Sequence, residues 1–235
     1  MIAAKLKDFP MNEIIPFFEK SIFDPTIADV GIDITEIGID SLINNPIVQS
    51  LPIAKAVIGV AKTAQNIHDR NLLLQTCAFI VGFNSGTIDE EKVQKYKSKV
   101  TDNSKYAEAE LGRILIILNK TVEKEKSVIQ GRLFRAYINE EINWYDFCEL
   151  SEATESLYIS DIPVLMRSFN ERIENPDPAV SYRTSRLNAL GLVIVSTADA
   201  KTTVGTIHIG SFVTISEFGK KYIKYGLKKR DEQTI

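Results

Sequence analysis

The stretch that decides the fold runs Arg186-Leu187-Asn188-Ala189-Leu190-Gly191-Leu192-Val193-Ile194-Val195 and resumes at Thr214-Ile215-Ser216-Glu217-Phe218-Gly219. Ser181 to Leu190 has helical spacing, and Gly191 stands where a helix needs a left-handed residue to stop. Leu192 to Val195, dominated by β-branched residues, reads as a strand. A polar stretch, Thr197 to Thr206, separates it from a second strand at Ile207 to Val213. Thr214-Ile215-Ser216-Glu217 has capping-box spacing, so a last helix runs to about Tyr225 with Gly226 behind it. The order is helix, strand, polar loop, strand, helix.

Upstream, Asn175-Pro176-Asp177-Pro178 is punctuation that a helix or strand would not carry in its interior. It sets the expected division: an α-helical body over residues 1–174 and a small basic module over 175–235. Within the body, helical spacing recurs from Asp29 to Ile43, from Ile53 to Phe83 with a break expected near Asn71, and from Asp89 to Lys99. It continues over Lys105 to Lys120 and Val122 to Ile138, then after an Asn143/Asp146 cap, and again from Ser160 with Pro163 in the first turn. No useful strand alternation precedes residue 190. The fold class expected is mainly α, a helical bundle body with a small C-terminal α+β module.

The chain has 235 residues, 44% of them hydrophobic, and 28 basic against 31 acidic side chains give a net charge of −3. This composition excludes a disordered, collagen-like or disulfide-stapled chain. Cys77 and Cys148 sit in apolar surroundings and read as buried thiols of a reducing compartment, which sets the expected location as cytoplasmic. The apolar segment Leu51 to Phe83 is interrupted by Lys55, Lys62 and His68-Asp69-Arg70, short of the roughly 18 uninterrupted apolar residues of a membrane span.

Motifs of catalysis do not assemble. There is no G-x-G pair for a dinucleotide, and Gly219-Lys220 has Thr214 where a phosphate loop needs its first glycine. Gly82-Phe83-Asn84-Ser85-Gly86 lacks the spacing of a nucleophile elbow and reads as a turn. His68 and His208 have no nucleophile or orienting acid at a recognisable offset. No cofactor and no metal are expected, and the chain is read as a non-enzyme.

Charge is more telling. From Ser181 to Arg230 there are nine basic residues against two acidic, a net +7, which leaves −10 for the rest. Such asymmetry suggests a polyanionic partner. The expected binding residues are Arg183, Thr184, Arg186 and Asn188 on the helix before the first strand, Lys201 in the polar loop, and Lys220, Lys221 and Lys224 on the last helix. Asp29, Asp33, Glu36 and Asp40 step by helical intervals and read as an acidic partner face rather than a metal site, since no E-x-x-H supplies a second ligand helix.

Two resemblances add to this reading. The Arg186-to-Val193 and Thr214-to-Gly219 segments resemble the end of bacterial winged-helix domains, and the C-terminal region is similar to that of the Abi-alpha group, associated by name with abortive phage infection. The body, through Leu51-Pro52-Ile53, Ile67-His68-Asp69-Arg70, Gly131 to Tyr137 and Ile142 to Phe147, resembles small uncharacterised bacterial helical proteins. The resemblances imply a module that binds DNA in some proteins and other proteins elsewhere, in phage defence or a mobile element. The function expected is a regulatory or interaction protein whose partner is DNA or an acidic protein surface, with a homo-oligomer admitted. The alternatives are a membrane-acting effector using residues 51–83, and an enzyme of unrecognised type.

Overall fold

A computed structural model of the chain describes residues 11–24, 45–60, 67–197, 201–203, 206–208 and 210–227. The chain divides into two compact units after Asn143. The expected division at 174/175 falls inside the second unit, because the strand before it and the helix after it pack on the same sheet.

The first unit is helical among the described residues: α1 Met11–Ile22, α2 Pro46–Ser50, α3 Pro52–Val60, α4 Ile67–Asn84, α5 Glu90–Asp102, α6 Ser104–Ala107, α7 Arg113–Lys120 and α8 Lys124–Ile138. A single π-turn, Glu108–Gly112, joins α6 to α7. At the centre α4 and α8 lie side by side in the same direction. Ser127 donates to Gln75, Gly131 lies on Phe79, and Arg135 donates to the Gly82 and Phe83 carbonyls at the end of α4. The rings of Phe18, Phe79, Phe83 and Phe134 fill the core around this pair. Local signals start the shorter helices: Asp89 accepts from the Glu91 and Lys92 amides, and Asn103 from the Tyr106 amide.

One expectation changes here, and the favoured reading of residues 51–83 as core agrees with the described side chains. Asn71 breaks no helix; it lies within α4, where its amide donates to the Thr121 carbonyl and accepts from Gln75, so a residue of low helix propensity is satisfied by a neighbour. Within the apolar segment from Leu51, the described side chains of Leu51, Ile53, Leu73, Phe79 and Ile80 are all buried. No helix among the described residues is long and apolar enough to cross a membrane. Residues 29–40, with the acidic stripe Asp29, Asp33, Glu36 and Asp40, lie outside the described residues.

The second unit contains α9 Trp144–Ser156, a 3-10 turn Ile159–Asp161, α10 Ile162–Asn170, β1 Ile173–Glu174, α11 Pro178–Ala189, β2 Val193–Thr197, β3 Lys201–Thr203, β4 Thr206–His208, β5 Ser211–Ile215 and α12 Glu217–Gly226. The strands form a three-stranded antiparallel sheet of order β1-β5-β2 and a separate two-stranded ribbon, β3-β4. Val195 faces Val213, and Ile173 faces Val213 from the other side.

Here too the sequence reading is refined. The Asn175–Pro178 punctuation is a helix start: Asp177 caps α11 by accepting from the Val180 amide, and Pro178 occupies the first turn. Gly191 stops the helix at φ +72, as expected. The strand expected over 207–213 is split into β4 and β5, and the polar loop before it contains β3. Thr214 is not a cap, because β5 pairing carries it to Ile194; the cap is Ser216, whose Oγ accepts from the Gly219 amide. Two-residue β1 was too short to show alternation. Cys77 is buried, whereas Cys148 is only half-buried.

α12 is seated tightly. A Cβ on Gly219 would lie 2.0 Å from the Leu192 carbonyl oxygen, so the helix starts directly against the corner between α11 and β2. Tyr222 is fully buried, its hydroxyl 3.2 Å from Thr154 Oγ1 on α9.

Candidate binding site on the second unit

The expected basic residues do not form one open face. Thr184 is buried and bonds back to the Ser181 carbonyl within α11. Asn188 accepts from the Val195 amide and so fastens β2 to the end of α11. Lys220 pairs with Glu217 one turn away, Lys221 pairs with Asp146 on α9, and Lys224 lies over the ring of Tyr225. The Asp146 carboxylate pushes the Lys221 pKa up, chiefly through their hydrogen bond. The side chains of His68, Lys201 and His208 fall outside the described ones.

Arg183 and Arg186 are brought together, and on a partner the sequence did not reveal. Asp161, 1% exposed at the end of the 3-10 turn, accepts two hydrogen bonds from Arg186: Nε to Oδ2 at 2.9 Å and Nη2 to Oδ1 at 2.5 Å. This two-pronged pair raises the Arg186 pKa, the hydrogen bonds to Asp161 being the main cause. Arg183 donates to the Ser160 carbonyl at 2.7 Å and to the Tyr182 hydroxyl at 3.0 Å. Around them stand two exposed rings, Tyr158 and Tyr182. The Arg186 guanidinium carbon is 4.2 Å from the first ring centroid and 4.9 Å from the second. Sequence reasoning named the arginines and missed the tyrosines. Tyr182 was legible, four residues before Arg186 on one helix; Tyr158 and Asp161, more than twenty positions away, were not.

The charge balance is different when the chain is divided after Asn143. The second unit then carries eleven basic residues against twelve acidic, net −1, and the first unit −2. The offsetting acids include Asp146, Glu149, Glu152 and Glu155 on α9. Part of that helix borders a shallow, open depression of about 390 Å³ lined by Glu149, Glu152, Ala153, Ser156, Leu190 and Phe218.

The first unit holds a buried polar cluster of its own. Glu110, in the π-turn and 4% exposed, accepts from the Tyr137 hydroxyl at 2.8 and 3.0 Å, and Tyr137 in turn shares a 2.8 Å hydrogen bond with Tyr106. Tyr96 packs edge-on to both rings, its hydroxyl buried close to the Glu110 charge without reaching hydrogen-bond geometry. Burial first, then Glu110, drives the Tyr96 pKa far up. Among the described residues no group of His, Cys, Asp and Glu is placed to hold a metal ion.

Compared with models of protein families, with curated proteins and with solved structures, the chain matches none.

Proposed function

We propose that the second unit is a winged-helix-like binding module for nucleic acid, in a protein that acts by interaction rather than catalysis in bacterial phage defence or a mobile element. A helix running into an antiparallel sheet through a left-handed glycine, with a ribbon between β2 and β5, supports the winged-helix part. The connection from α10 to α11 differs from a simple helix-turn-helix, which uses a 3–4-residue turn: residues 171–177, including β1, lie between the two helices. The defence setting rests on the C-terminal resemblance to the Abi-alpha group.

The observation that carries the reading is the surface cluster of Arg183, Arg186, Tyr158 and Tyr182. Arginine and tyrosine together supply the cation and the flat ring with which proteins engage nucleic acids. An acidic protein is the competing partner, since the same residue types dominate protein hot spots. A membrane-acting role has no comparable support, since Leu51, Ile53, Leu73, Phe79 and Ile80 of its candidate segment are buried in the first unit.

The test is affinity for a mixed pool of oligonucleotides across a salt titration. Arg183→Glu with Lys201→Glu should weaken binding, and affinity should fall as salt rises, because each neutralised phosphate releases a counterion. Arg186 is left intact because it holds Asp161. Absence of binding at low salt, binding indifferent to salt, or an equal preference for polyglutamate would each overturn the nucleic-acid reading.

A further inference from the structure

We propose that the Tyr158–Arg186–Tyr182 cluster receives unpaired bases, so that the ligand is single-stranded nucleic acid. The inference rests on the nucleic-acid reading above and narrows it.

Duplex sequence is read mainly by side chains that fork onto base edges in the major groove, arginine onto guanine above all. Neither α11 arginine has that fork available. Arg186 directs two donors at Asp161, and that carboxylate is 1% exposed, so the guanidinium is anchored inward. The guanidinium carbon lies over the Tyr158 and Tyr182 rings. Arg183 is held by the Ser160 carbonyl and the Tyr182 hydroxyl. The other exposed positions of α11, Pro178, Ala179, Ser181, Ser185, Asn188 and Ala189, carry no cation either.

What the anchored arginines leave at the surface is ring. Tyr158 is 58% exposed and Tyr182 49% exposed. Both are held in place although they face solvent: Tyr182 is gripped at its hydroxyl by Arg183 and beside its ring by Arg186, and Tyr158 lies on Arg186. A ring fixed before binding loses little freedom when a base stacks on it. Stacked bases with a guanidinium alongside are the means by which single strands are held, and a duplex offers base faces only at its ends. Positive charge beside the rings attracts the strand's phosphates, while Asp161 keeps the local excess small, so the rings rather than bulk charge should dominate affinity.

The experiment compares three fluorescent probes by anisotropy on the full chain: an oligothymidylate of about 15 nucleotides, a duplex of equal length, and an abasic strand of equal length that keeps the phosphates. Oligothymidylate should bind at least about tenfold more tightly than the other two, and Tyr182→Ala or Tyr158→Ala should each cost roughly tenfold. Tyr182→Phe and Tyr158→Phe, which keep the ring, should retain most of the affinity. Tyr158→Leu keeps apolar bulk without a π face, so its loss of binding with an unchanged melting temperature identifies stacking. If duplex and abasic probes bind as well as oligothymidylate and the ring variants are silent, base stacking is wrong. In that case a loss on Arg183→Glu would leave the nucleic-acid reading standing. Failure of all three probes to bind would overturn both.

Discussion

Gly131 presses the backbone of α8 onto Phe79: a Cβ at Gly131 would lie 2.0 Å from the Phe79 carbonyl oxygen. Gly82 does the same from α4, where a Cβ would lie 2.1 Å from the Val128 carbonyl oxygen. Alanine normally stabilises a helix interior by ~1 kcal/mol over glycine. Here the sign should reverse, because rigid backbone cannot step aside as a side-chain tip can. Gly131→Ala and Gly82→Ala should each lose about 2 kcal/mol or more in chemical denaturation. Gly112→Ala is the control, since its Cβ would have 3.5 Å to Ile15 Cδ1 and should be neutral or stabilising. Equal behaviour of all three variants would contradict this account.

The Glu110 cluster predicts two opposite outcomes from the same chemical change. Tyr137→Phe removes the hydroxyl that donates to a buried carboxylate, which should cost about 1–3 kcal/mol. Tyr96→Phe removes a buried hydroxyl that has no hydrogen-bond partner, and should be neutral or slightly stabilising. Thermal melts of the two variants decide it; a Tyr96→Phe loss as large as that of Tyr137→Phe would show that the Tyr96 hydroxyl is satisfied in solution.

These cases also show what a sequence carries. A helix start such as that at Asp89 is local chemistry, and Gly191 declares its left-handed stop in the same way. The mainly helical fold with strands near the C-terminus was therefore readable. The tie from Arg186 to Asp161 was not, because periodicity places a residue on a helix face and says nothing of what lies across from it. The charge asymmetry depended on where the chain was cut: residues 181–230 carry +7, whereas residues 144–235, which take in the acids of α9 and those on either side of the basic stretch, carry −1. The β3-β4 ribbon was hidden for a different reason, its threonines and lysine being as suited to a polar loop as to an exposed strand.

The two cysteines should differ in reactivity. Burial pushes the Cys77 thiol up to about 12, so at pH 8 it presents almost no thiolate, and the core shields it from reagent. Cys148 is half-buried, so small alkylating agents should reach it sooner. Iodoacetamide at pH 8 should add one group first, at Cys148, with the second appearing only as denaturant unfolds the first unit. Early labelling of Cys77, located by peptide mass, would show that the α4 core opens locally.

Alkaline pH should destabilise the protein, and the sign follows from where protons sit. Burial is the leading cause raising the pKa of Tyr96, Tyr137 and Tyr222 in the folded chain. An unfolded tyrosine ionises near 10 and an unfolded cysteine near 8.5. Above those values the unfolded state has released protons that the folded state still holds, so it binds fewer protons and stability falls as pH rises. The stabilisation is complete below the unfolded values and is lost progressively above them. Cys77 begins the decline near pH 8.5 and the tyrosines steepen it above about 10, each by at most ~1.4 kcal/mol per pH unit. Melting temperature followed from pH 8 to 11 should bend downward in that order. Tyr222→Phe removes the titrating hydroxyl of the second unit while keeping its ring in the core, and should flatten the part above pH 10 for that unit. A melting temperature constant to pH 11, or an unchanged slope in Tyr222→Phe, would mean that the buried hydroxyls reach solvent and ionise in the folded chain.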